Sequence, residues 1–177
     1  MNEKIAVIGM GQMGSSMASR LSKAQCDVMG YDIAENVRKY LDEQGFKMGG
    51  NLSETLSGRS IILTSLPDPA AVENSWLGAK GIIALADPNS LIIELSTIDP
   101  TTMKTVETVA VEKGHAVLDC PVSGSPDEAG TGKLVLLVGG KEDAVQRGEP
   151  LFDLLGQTWK HTGPVGTAKV VKIVNNM

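Results

Sequence analysis

Apolar residues along this chain gather in short unbroken runs separated by longer mixed stretches, a rhythm that predicts strands alternating with helices. Ile5-Ala6-Val7-Ile8 is the first run, apolar at every position as befits a strand covered on both faces. Ser15 to Ala24 follows, with Met17, Ala18 and Leu21 at helical spacing. Asp27 to Tyr31 reads as the next strand and residues 35 to 44 as a helix whose solvated face carries Arg38 and Lys39. Further runs at Ser60 to Ser65, Ser90 to Leu95 and His115 to Leu118 are separated by stretches long enough for crossover helices. The alternation predicts an α/β fold with a doubly wound, mostly parallel sheet. After Asp119 the texture changes: Gly124, Gly130 and Gly132 lead into Leu134 to Val138 and Gly139-Gly140. That run predicts an extra strand at one sheet edge, open to antiparallel pairing. Asp143 to Leu155 then reads as a helix, Thr158 to His161 as a last short strand, and a helix starting near Pro164 closes the chain.

Between the first strand and first helix lies Gly9-Met10-Gly11-Gln12-Met13-Gly14. In that strand–turn–helix setting a G-x-G-x-x-G loop points to a dinucleotide site of Rossmann type. Gly9 permits the tight turn, Gly11 lets backbone approach a pyrophosphate, and Gly14 allows close helix–strand packing. The helix start supplies unpaired N–H groups and positive dipole to the phosphates. Met10, Gln12 and Met13 complete the loop. Asp32 follows the second strand, 18 residues past Gly14, where a carboxylate accepts from the adenosine ribose hydroxyls and repels a 2′-phosphate. The cofactor read from this is NAD, with NADP as the alternative because Arg38 and Lys39 lie one or two turns further on.

The chain has 177 residues, the size of one domain, and a net charge of −5 with no basic block. That balance argues against nucleic acid, whose binding depends on cations neutralising phosphates. Cys26 and Cys120 are too few and too far apart for a disulfide framework or a metal site, and the two histidines add no ligand spacing. No metal is expected. The first strand starts directly after Met1-Asn2-Glu3-Lys4, leaving no room for a signal sequence, and no apolar run approaches membrane-spanning length. A cytoplasmic protein with no membrane partner is the expectation.

Ligands of such sheets gather beyond the carboxyl ends of the strands, which singles out three places. Leu66 and Pro67, after the run ending at Ser65, line a cofactor or simply turn the chain. Ser96 and Thr97, after Leu95, reach ribose or nicotinamide, while Thr97 or Asp99 caps a helix beginning near Pro100. Asp119-Cys-Pro-Val-Ser123-Gly124 offers a hydroxyl and successive N–H groups to a carboxylate, or forms a plain turn. Near the end, Lys172 and Asn176 are four apart and so share one helix face. His115, His161, Trp76 and Trp159 read as structural residues.

Taken in order, these segments resemble the β-hydroxyacid dehydrogenases, the family of 3-hydroxyisobutyrate dehydrogenase and tartronate semialdehyde reductase. Gly9 to Gly14 is similar to the family's G-x-G-x-M-G loop, and Glu94-Leu-Ser96-Thr97-Ile-Asp-Pro100 to its D-x-S-T-x-x-P segment. Asp119 to Ser125 resembles D-x-P-V-S-G-G, and Gly163 to Asn176 resembles G-x-x-G-x-G-x-x-x-K-x-x-x-N. The resemblance implies an NAD-dependent oxidoreductase acting on a small 3-hydroxyacid. In it Lys172 is the general acid/base, Ser123 and Gly124 bind the substrate carboxylate, and Asn176 is a polar partner of substrate and lysine. It also implies a dinucleotide-binding domain over 1–162 and an interdomain helix starting in 163–177. The family's C-terminal helical domain, which closes the cleft and builds a homo-oligomer in full-length forms, is absent, so weak activity is expected of this piece alone. Ser125, Glu128 and Ala168 stand where the family has glycines. Two other readings are a 6-phosphogluconate dehydrogenase-like enzyme, against which Asn175 and Asp32 argue, and a non-catalytic NAD-binding sensor module.

Overall fold

The structure, a computed structural model, describes residues 4–175. Five strands, β1 (Lys4–Ile8), β2 (Asp27–Tyr31), β3 (Ile61–Thr64), β4 (Leu91–Glu94) and β5 (Ala116–Asp119), lie parallel in the order β2-β1-β3-β4-β5. Beyond β2, Met48 makes a one-residue parallel bridge to Gly30. Chain order reverses at β1, whose neighbours are β2 and β3, and such a switch point opens a crevice outside the carboxyl ends.

The connections are α1 (Gln12–Lys23), α2 (Glu35–Glu43), α3 (Leu52–Leu56), α4 (Pro69–Trp76), α5 (Ile82–Leu85) and α6 (Pro100–Glu112). Their starts are set by short polar side chains. Asp68 accepts from the Ala71 N–H and Asp99 from the Thr102 N–H, each followed by proline at the first helical position. Asp99, not Thr97, is thus the cap of α6. The pleat sorts the strand residues onto two faces. Ile5 and Val7 pack with Met17, Leu21 and Phe152, whereas Ala6 and Ile8 pack with Leu56, Trp76 and Met103. Every residue of β3 and β4 is buried, which is why these strands read as unbroken apolar runs.

The remaining elements are β6 (Val122–Ser123), α7 (Pro126–Thr131), β7 (Leu134–Gly140), α8 (Glu142–Leu155), β8 (Gly156–Gly163) and α9 (Thr167–Asn175). β7 corrects the expected edge strand. It runs antiparallel to β5 and β6 and parallel to β8. Val135 and Leu136 pair with both β6 and β8, so those two strands must flank β7 on opposite sides. β7 is therefore interior and the edge is β8, a longer strand than Thr158 to His161 and largely polar. The apolar run marked a buried strand correctly, but a polar neighbour took the exposed position. Two helix starts also shift, α1 to Gln12 and α9 to Thr167. No helix among the described residues is long and apolar enough to cross a membrane.

Candidate functional site

The glycine loop connects β1 to α1 at the switch point. Gly9 has φ +88°, and a Cβ there would lie 2.2 Å from the Ser65 carbonyl oxygen. A Cβ on Gly14 would lie 1.9 Å from the Gly9 carbonyl oxygen, so this glycine lets α1 close against the loop. At Gly11 a Cβ would meet nothing. That open space borders a cleft of about 1140 Å³. Gly11 is also the N-cap of α1 and offers no side chain to its first N–H groups, which leaves these donors for a phosphate. The residues present therefore fit the pyrophosphate of a dinucleotide.

Gly9, Gly11, Gln12, Met13 and Gly14 line the cleft, as do Asp32, Leu66 and Pro67. The Asp32 carboxylate spans the β2 end and the loop: Oδ2 accepts from the Met10 N–H at 2.9 Å and Oδ1 from the Ala34 N–H at 3.0 Å. Each oxygen keeps a further lone pair for a ribose hydroxyl. Met10 departs from the expected set. Its side chain is buried against Gly30, where a Cβ would lie 2.7 Å from the Met10 sulfur, so only its backbone takes part in the loop. Thr97 is exposed and does not line the cleft; its neighbour Ser96 is buried and accepts the Leu66 N–H on Oγ at 2.7 Å. Arg38 is not merely on a solvated face. Its Nη1 donates to the Asp32 carbonyl at 2.6 Å and its guanidinium lies 5.3 Å from the Tyr31 ring centroid. Lys39 pairs with Glu35 on the exposed side. Sequence reasoning passed over Tyr31, Asn51 and Lys80, which complete the walls.

Lys172 and Ser123 form a second cluster at the same end of the sheet, outside the lining of that cleft. Lys172 is 9% exposed, and its Nζ donates to Ser123 Oγ at 2.6 Å. Two segments 49 residues apart thus meet. Gly124 follows at φ +141°, exposed. Asn176 lies outside the described residues. Ser125 and Glu128, the departures from glycine, are explained together. The Ser125 hydroxyl accepts from the Glu128 N–H while Glu128 Oε2 accepts from the Ser125 N–H, a reciprocal capping box that starts α7. The Ser125 N–H and the Ser125 hydroxyl, which also donates to Glu128 Oε2 at 3.0 Å, hold the Glu128 carboxyl below its usual range.

α9 is seated by charged groups. Asp119 Oδ2 accepts the Lys169 N–H at 3.1 Å, capping the first turn from β5 rather than locally. The Lys169 ammonium is enclosed, bonded to Glu94 Oε2 at 3.0 Å, the Glu94 carbonyl at 3.1 Å and the Ser96 carbonyl at 2.7 Å. All three of its protons are thereby used. This pair was missed from sequence although a signal existed: Glu94 sits in the otherwise apolar run Leu91 to Leu95, and a buried carboxylate requires a partner.

Burial pushes the Asp119 carboxyl above its ordinary value of 3.8, opposed by the charge of Lys169. Burial likewise raises the adjoining Cys120 thiol, keeping it protonated. For an acid whose folded-state value is raised, the stability contribution is full below the unfolded value and is lost as pH climbs through the folded one. Relative to wild type, Asp119→Asn is therefore expected to gain stability as pH rises from 3.8 through the folded-state value. Urea unfolding across that window checks it, and a pH-independent difference between the two proteins rules it out. Among the described residues no group of three or more His, Cys, Asp or Glu could hold a metal ion. His115 and His161 each bond backbone carbonyls.

The NAD binding domain of 6-phosphogluconate dehydrogenase matches residues 4–163 as a family. Among curated proteins, the NAD-dependent L-serine dehydrogenase of Pseudomonas aeruginosa is 34% identical over 98% of this chain, and the 3-hydroxyisobutyrate dehydrogenase of the same organism is 35% identical over 98%. The chain spans 58% of the length of each. Among solved structures, Mycobacterium tuberculosis 3-hydroxyisobutyrate dehydrogenase with L-serine superposes with a TM-score of 0.93 at 30% identity, over 99% of this chain and 60% of that one.

Proposed function

The chain belongs to the β-hydroxyacid dehydrogenase family as its NAD-binding domain, and on that premise we propose that the protein is an NAD-dependent oxidoreductase interconverting a small 3-hydroxyacid and its semialdehyde. The observation that carries this reading is the 2.6 Å bond between Lys172 and Ser123, a proton-handling group held against a carboxylate-binding one. Gly9, Gly11 and Gly14 hold the dinucleotide phosphates, Asp32 its ribose, and Leu66 and Pro67 flank its path toward Lys172. When bound, the cofactor supplies the hydride acceptor. Ser123 and Gly124 bind the substrate carboxylate, and Lys172 Nζ takes the hydroxyl proton in oxidation and returns it in reduction. Asn176 orients substrate and lysine. The reading includes a dinucleotide-binding domain over 1–162, an interdomain helix starting within 163–177, a cytoplasmic location and a homo-oligomer in the full-length form.

L-serine appears in the names of both the P. aeruginosa relative and the M. tuberculosis complex, which favours a three-carbon β-hydroxyacid as substrate. The test is a screen of small 3-hydroxyacids and semialdehydes against NAD(H) and NADP(H) with the full-length protein. Turnover of at least one pair with NAD is expected. Tight NAD binding without turnover of any would replace the dehydrogenase reading with that of a sensor module.

A further inference from the structure

We propose that Lys169 is a positioning residue: its buried ammonium sets the rotation of α9, and with it the place of Lys172 against Ser123. The inference rests on the dehydrogenase reading for its consequence in catalysis, but its geometry stands on α9 itself.

A helix packed on a sheet is ordinarily oriented by an apolar stripe turned inward. α9 is built the other way round. From Thr167 to Val174 its buried residues are Ala168, Lys169 and Lys172, while Val170, Val171, Ile173 and Val174 are all exposed, Val174 by 63%. Apolar burial within the described residues therefore supplies almost no preference for one rotation of α9 over another. The orienting contacts are polar. The Lys169 N–H meets Asp119, and the Lys169 ammonium occupies a well formed by Glu94 Oε2 and the carbonyls of Glu94 and Ser96. Lys172 lies three residues on, the neighbouring position on the same face.

The same well is wired to the cofactor side. Ser96 accepts the Leu66 N–H on Oγ, and its own N–H donates to Glu94 Oε1 at 2.8 Å. A continuous set of bonds thus runs from Leu66, which lines the cleft, through Ser96 and Glu94 to Lys169, and then one turn along α9 to Lys172. A buried ion pair contributes little net stability over an apolar replacement of similar volume, so orientation is the property that such a replacement removes.

The test is the double variant Glu94→Leu with Lys169→Met in the full chain, alongside wild type. Both are labelled with an amine acetylating reagent, and the Lys172 rate is read by peptide mass spectrometry against that of exposed Lys104. Released from its setting, Lys172 is expected to acetylate about tenfold faster relative to Lys104. With NAD affinity unchanged, kcat is expected to fall about tenfold or more while KM moves less than about threefold, the signature of a misplaced reacting group. A folded variant whose Lys172 is as protected as in wild type, or whose kcat is retained, overturns the proposal. Should this variant not fold, Glu94→Gln with Lys169→Gln, which keeps polar groups at both positions, is read by the same labelling ratio and judged by the same outcomes. Wild-type protein that turns over no hydroxyacid defeats the dehydrogenase reading alone, and the labelling ratio still decides the positioning role.

Discussion

Replacing Lys172 by methionine is expected to lower kcat by about 10²–10⁴, the range for loss of a positioned acid/base group, while NAD affinity stays within about twofold. The two halves of that expectation come from different parts of the fold. The proposed cradle for the phosphates consists of Gly9, Gly11 and Gly14 with the first turn of α1, and Lys172 does not line the cleft above it. Its Nζ instead meets Ser123 at the carboxyl end of the sheet. Methionine preserves most of the side-chain volume, and volume-conserving exchanges cost under about 1.5 kcal/mol, so the protein should remain folded. Steady-state kinetics in both directions, paired with NAD titration by calorimetry, make the measurement. A variant with kcat within about threefold of wild type would remove Lys172 from the chemistry. Parallel loss of NAD binding would instead show that the substitution had damaged the whole site.

The largest expected loss of stability follows from Lys169→Met alone. Glu94 and Lys169 both have side chains with no exposed surface and are 3.0 Å apart. Removing the ammonium leaves a carboxylate enclosed with only the Ser96 N–H at 2.8 Å and a long contact to the Thr64 hydroxyl. Breaking a buried pair from one side costs about 3–5 kcal/mol, a large share of the 5–15 kcal/mol that holds a typical domain together. Adding Glu94→Leu is expected to recover most of the loss, because the double exchange removes the unpaired charge together with its partner. Urea unfolding followed by the fluorescence of Trp76, fully buried in the core, reads both variants. A single variant that loses less than about 1 kcal/mol would mean that water or a local rearrangement solvates Glu94.

The glycine loop and the elements around it were legible because each depends on residues close together in sequence. β1 and β2 appear as short runs, Gly9 turns the chain at positive φ, Gly14 lets α1 close on the loop, and Asp32 follows directly after β2. The start of α6 near Pro100 was legible for the same reason, since a cap and its N–H partner are three residues apart, although the choice of Asp99 over Thr97 was not. Met10 was not legible. A loop position fixes where its backbone runs, but whether the side chain enters the cleft or the core depends on Gly30 leaving room for it. Ser125 and Glu128 read as unexplained departures until their mutual bonds around the α7 start were seen, although their spacing of three is that of a capping box.

Local spacing, turn chemistry and unbroken apolar runs suffice to determine the alternating α/β order, the glycine loop between β1 and α1 and the positions of the charged residues on α9, because the interactions responsible span one turn or one strand. Which strand lies at the edge, which side of α9 faces inward and what neutralises Glu94 were decided only by tertiary structure. Those outcomes depend on pairings between distant segments, β7 with β8 on one side and β6 on the other, and α9 with β4 across 75 residues and with β5 across 50. Burial makes them obligatory, since an enclosed charge or backbone group must find its partner wherever the fold supplies one.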